Sequence, residues 1–115
     1  MQYALLIYWD ESTRDRRTEE EAQAIYGEYF AIFDTPGVLG GQGLQPVADA
    51  TTVRMQNGET LLTDGPFIDA KEHLGGFYLV DVDDLDAATE IAARIPAVRE
   101  GGAVEVRPIM EPRPR

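Results

Sequence analysis

Residues 61–82 read Leu61-Leu62-Thr63-Asp64-Gly65-Pro66-Phe67-Ile68-Asp69-Ala70-Lys71-Glu72-His73-Leu74-Gly75-Gly76-Phe77-Tyr78-Leu79-Val80-Asp81-Val82, and the fold turns on them. Asp64-Gly65-Pro66-Phe67 is turn chemistry: Pro66 fixes its own φ and pushes Gly65 out of the right-handed helical region. Ile68 to His73 is polar and charged, which predicts a loop or short arm. Gly75-Gly76 permits a bulge or a close backbone approach at a strand entry. Phe77 to Val82 is aromatic and β-branched with apolar residues at both parities, as a central strand covered on both faces requires.

Upstream, Asn57-Gly58 sits between Thr51–Gln56 and Glu59–Thr63. Both turn residues accept positive φ, so this is a hairpin that delivers the chain to Asp64. Gln2–Trp9 is a strand, with Tyr3, Leu5, Ile7 and Trp9 on one face and Ala4, Leu6 and Tyr8 on the other. Asp10–Arg17 carries three arginines among acids and reads as a solvated loop. Thr18 and Glu21 form a capping box ahead of a helix. On that helix Ala22, Ile25, Tyr26, Tyr29, Phe30 and Phe33 recur at helical spacing, which predicts a broad aromatic face packed into the core. Pro36-Gly37 ends it. Val38–Val47, with Gly40, Gly41 and Gly43, is an irregular strand, and nothing in it matches a phosphate-binding loop. Asp83 or Asp84 caps a second helix with its buried stripe at Leu85, Ala88, Ile91, Ala92 and Ile95. Pro96 stops it, 97–102 is a loop, and Ala103–Met110 is the last strand. Residues 111–115 are expected to be a loose tail.

The joined motif Thr63-Asp64-Gly65-Pro66-Phe67, Lys71-Glu72 and Leu74-Gly75-Gly76-Phe77-Tyr78-Leu79 resembles the YCII-related family in its DGPF branch, over roughly residues 1–110. The resemblance implies a single ferredoxin-like α+β domain: an antiparallel sheet, two helices on one face and an extra β-hairpin, paired into a dimeric α/β barrel. The order β-α-β, hairpin, β-α-β fits that pattern. A sheet with helices on one side leaves an apolar face bare, and a second copy is its simplest cover, so a homodimer through that face is expected.

Composition narrows function by exclusion. A chain of 115 residues with 43% hydrophobic content makes one globular domain. Its net charge of −11 speaks against nucleic acid and against anionic membranes. The absence of cysteine excludes disulfides, thiol catalysis and thiolate metal sites. One histidine and no calcium-loop pattern lead us to expect no metal, and no cofactor is expected either. The cluster Asp81, Asp83, Asp84 and Asp86 is accounted for by helix capping. The N-terminal apolar run is too short for a secretion signal or a membrane span, so a cytoplasmic protein is expected.

The candidate site is a pocket walled by Tyr8, Tyr26, Phe30, Phe67 and Tyr78, with Asp64 at its rim. Asp64 and His73 are the candidate catalytic residues, as a general base and its partner. The competing reading spends the Asp64 carboxylate on the turn amides and leaves His73 on a surface loop, and we expect the cap for Asp64. A histidine that the YCII branch carries on its first helix has no counterpart here, where the chain reads Ala24-Ile25-Tyr26-Gly27-Glu28. The expected function is binding of a small organic molecule, with cofactor-independent isomerisation or elimination by proton transfer as its catalytic form. The alternative is a non-catalytic accessory module associated with transcriptional regulation, which the resemblance suggests.

Overall fold

The computed structural model describes residues 1–112. The expected loose tail therefore falls mostly outside the described residues. β1 (Gln2–Trp9), β2 (Val38–Gly43), β5 (His73–Asp81) and β6 (Ala103–Pro108) form one sheet in the order β2-β5-β1-β6. Every neighbouring pair is antiparallel. Helices α2 (Glu19–Ala31) and α3 (Leu85–Ala92) complete the ferredoxin-like α+β pattern.

The core lies between the sheet and the helices. Tyr3, Leu5 and Ile7 of β1 alternate inward beside Tyr78 and Val80 of β5. They pack against Ile32, Ala88, Ile91, Ala92 and Ile95. α3 begins where the Asp84 carboxylate accepts the Ala87 N–H at 2.9 Å, as its sequence predicts. At α2 the Thr18 hydroxyl accepts the Glu21 N–H at 3.1 Å. Pro96 opens a 3₁₀ turn, Pro96–Glu100, in place of the expected loop, and Gly101 ends it at φ 87°.

β3 (Thr51–Gln56) and β4 (Glu59–Asp64) form the hairpin as a separate two-stranded sheet. Asn57 at φ 51° and Gly58 at φ 78° make its turn, as the sequence requires. This arm extends from the body, and Val53, Met55 and Leu62 are exposed along it.

Several expectations need correction. Asp10–Arg17 is not a plain loop: Glu11–Arg14 makes one helical turn, α1, because the Asp10 carboxylate accepts the Ser12 N–H at 3.0 Å. β5 starts at His73 rather than Phe77, and His73 lies opposite Trp9. The strand can start early because Gly75 is absorbed in a bulge: Ile7 faces Gly76 while Tyr8 faces Leu74. Of the aromatic face of α2 only Tyr29 packs against the core, and it is half-buried. No residue of α2 is buried, and Tyr26 and Phe30 are 70% and 63% exposed. The reason lies in the sheet below, where Gly41, Gly43 and Gly76 supply no side chains to meet that face.

Candidate functional site

The space beneath α2 is a cavity of about 430 Å³. Its floor is the glycine-rich end of β2 and β5, and its walls are aromatic. Trp9 meets Tyr29 edge-on with ring centres 6.3 Å apart. Tyr26 stacks on Phe30 at 6.5 Å, Phe30 meets Phe33 edge-on at 5.9 Å, and Phe33 meets Tyr78 at 5.4 Å. The helical spacing places Tyr26, Tyr29, Phe30 and Phe33 in one row, and the strand alternation turns Ile7, Trp9 and Tyr78 up toward it.

The polar groups here are few. The Tyr78 hydroxyl donates to the Tyr29 carbonyl at 2.6 Å. Burial pushes the Tyr78 phenol up to about 12 and raises Tyr29 for the same reason. Arg14, at the end of α1, lays its guanidinium 3.9 Å from the centre of the Trp9 ring. Burial lowers the Arg14 pKa from its ordinary value, since a cation loses hydration there. The Trp9 ring in turn rests on Gly75, where any Cβ would overlap it.

Of the residues singled out from the sequence, Tyr26, Phe30 and Tyr78 line this cavity, and Tyr8, Phe67, Asp64 and His73 do not. Tyr8 alternates to the sheet face away from the helices. Phe67 is exposed on the arm with the Arg54 guanidinium 5.2 Å from its ring centre. Asp64 closes β4 opposite Thr51 and is exposed. Among the described residues its carboxylate accepts no hydrogen bond, so the expected cap is absent. Backbone and threonine hold that turn instead: the Gly65 N–H donates to the Ala50 carbonyl at 2.7 Å, and the Thr52 hydroxyl donates to the Gly65 carbonyl at 2.8 Å. His73 is a half-buried strand residue, not a loop residue, and its Nε2 is buried without a hydrogen-bond partner among the described residues. No three metal-binding side chains converge among the described residues, and no helix there is long and apolar enough to cross a membrane.

Trp9, Arg14, Tyr29 and Phe33 are among the cavity residues that the sequence reading did not assign to a site. A signal for Arg14 was present in Asp10-Glu11-Ser12: an aspartate two residues before a serine N–H starts a helical turn, and one turn carries Arg14 back over Trp9.

In class, then, this is a ferredoxin-like α+β domain with an aromatic, ligand-sized cavity between its first long helix and the sheet. The chain belongs to the YCII-related family, whose domain profile matches residues 1–113. It is similar to an uncharacterised protein of Rhizobium meliloti (strain 1021), 38% identical over 114 residues, a match spanning 95% of this chain and 92% of that one.

Proposed function

We propose that this YCII-related protein binds a small organic molecule in the cavity beneath α2, and that binding rather than proton transfer is what this site is built for. The observation that carries the reading is the uncovered aromatic face of α2 over a volume of about 430 Å³. That volume is within the range of small-molecule sites. An aromatic row left exposed loses transfer free energy in water, and a planar apolar guest restores it. The proton-transfer reading has less support, because neither Asp64 nor His73 reaches the cavity wall.

Trp9 is the chain's single tryptophan and lies in the cavity wall, so its indole N–H gives one NMR signal that reports on the site. Screening small aromatic molecules against that signal tests the proposal. Tyr26→Ala and Phe30→Ala should weaken binding without lowering the unfolding midpoint, since both side chains are exposed. Hits whose affinity is unchanged by both substitutions would refute it.

Self-association through the open sheet face completes the proposal. The chain exposes 8536 Å². A compact monomer of 12.7 kDa exposes about 6,200 Å². The radius of gyration is 16.3 Å, against about 13 Å for a compact domain of this length. The excess area, about 2,300 Å², is more than a standard protein interface buries. Ala4, Leu6, Tyr8, Phe77 and Leu79 on the open face, together with the arm, are the surface available for it. A monomeric mass in sedimentation at micromolar concentration would exclude the dimer.

A further inference from the structure

We propose that the ligand of this cavity is an organic anion, a carboxylate carried on a flat aromatic or apolar body, and that Arg14 is the residue that pairs with the carboxylate. The inference rests on the binding reading above and adds the chemical class.

Arg14 is a cation that its own chain leaves unspent. The protein carries 21 acidic residues against 10 basic ones, so carboxylates outnumber cations by about two to one. Arg17 pairs with Glu100 at 2.6 Å, and Arg99 pairs with Glu28. Arg94 donates to the Thr35 hydroxyl at 3.0 Å. Arg14 makes neither an ion pair nor a hydrogen bond among the described residues. Two acids, Glu11 and Glu100, are near enough to favour its charged form. Neither closes a contact with it. Glu100 is held by Arg17, and Glu11 accepts the Val47 N–H at 3.0 Å.

The Arg14 Cζ lies over the Trp9 ring, 3.9 Å from its centre, and none of the guanidinium N–H donors makes a hydrogen bond to the described residues. Those donors form a planar fork whose natural complement is the two oxygens of a carboxylate. Arg14 is also half-buried and lines the same cavity as the aromatic row. Burying a cation without a partner is unfavourable, and an anionic guest removes that penalty at the moment it binds. The Tyr78 hydroxyl is already committed to Tyr29.

The test uses the whole chain and three probes: 3-phenylpropionate, its uncharged amide 3-phenylpropanamide, and inorganic phosphate. Each is titrated while the Trp9 indole N–H signal is followed. The acid should bind at least about tenfold more tightly than the amide, the difference a charge-assisted hydrogen bond makes. In Arg14→Gln the acid should fall to the affinity of the amide, and the amide should bind as it does to the unaltered protein. Equal binding of acid and amide to the unaltered protein would overturn the carboxylate assignment and leave the aromatic cavity standing. Failure of both organic probes would instead remove the binding reading on which it depends. Phosphate binding as tightly as the acid would overturn the requirement for an apolar body. Should Arg14→Gln disturb folding, the acid–amide comparison on the unaltered protein still decides the question.

Discussion

Gly75→Ala is expected to unsettle the cavity through one ring. Gly75 does not sit at positive φ; the positive-φ glycines are Gly37, Gly58, Gly65 and Gly101. Alanine is therefore allowed by the backbone, and what forbids it is Trp9. A Cβ at position 75 would fall 2.7 Å from Trp9 Cη2 and closer still to two other ring carbons. Ordinary carbon contacts are about 3.5–4.0 Å, so the ring must retreat by roughly an ångström or more. It is hemmed in by Tyr29 on one side and the Arg14 guanidinium on another. Overpacking of this kind costs about 1–3 kcal/mol. With an unfolding entropy of about 2.1 cal/mol/K per residue, a chain of this length has about 0.24 kcal/mol/K, so the melting temperature should fall by ~4–12 °C. Thermal unfolding followed by circular dichroism measures the loss, and the Trp9 indole N–H shift reports the ring's movement. A double-mutant cycle isolates the cause: in a Trp9→Ala background, Gly75→Ala should change stability by less than about 0.5 kcal/mol. An equal loss in both backgrounds, or no loss in the unaltered protein, would refute the reasoning.

Asn57→Pro removes the positive φ on which the hairpin turn depends, at a local cost of about 1–3 kcal/mol. It should speed amide exchange across residues 51–64, and unchanged protection there would count against it. Tyr78→Phe gives up the 2.6 Å bond to the Tyr29 carbonyl and should lower stability by about 1 kcal/mol. The same substitution tests the pH dependence. The Tyr78 phenol is held near 12 in the fold, above its ordinary value of 10.0. Its contribution is therefore complete below pH 10 and is lost as pH rises toward 12, by up to about 2–3 kcal/mol. Denaturant midpoints taken across that window should fall for the unaltered protein, less steeply for Tyr78→Phe, and parallel slopes would contradict the assignment. Asp64→Asn removes no hydrogen bond among the described residues and should move stability by less than about 0.5 kcal/mol; a loss above 1 kcal/mol would restore the capping role.

Local chemistry was legible wherever its cause lies within a few residues. Asn57-Gly58 accept the φ values of a tight turn whatever surrounds them, and the structure places both at positive φ. Thr18 and Asp84 reach amides three residues ahead, so both helix starts follow from the chain alone. The apolar alternation of β1 likewise grouped Tyr3, Leu5 and Ile7 on one face, and these three are buried in the core. The misreadings of Asp64 and His73 involve residues distant in sequence. Asp64 was expected to satisfy its own turn, but Ala50 and Thr52, brought in by the other strand, satisfy it first. His73 read as a loop because its local stretch is polar, while pairing with Trp9 makes it a strand residue.

The sequence by itself determined the order of the elements, the helix starts, the hairpin turn and membership of an α+β class, because those depend on local φ preferences, short-range hydrogen bonds and apolar periodicity. Only the tertiary structure decided that the aromatic face of α2 is a cavity wall rather than core. Periodicity tells which helix face is apolar and nothing of what stands opposite. Here Gly41, Gly43 and Gly76 stand opposite, brought there by strands far apart in the chain. The same holds for Arg14, whose freedom to meet an anion follows from Glu11 and Glu100 being held by Val47 and Arg17.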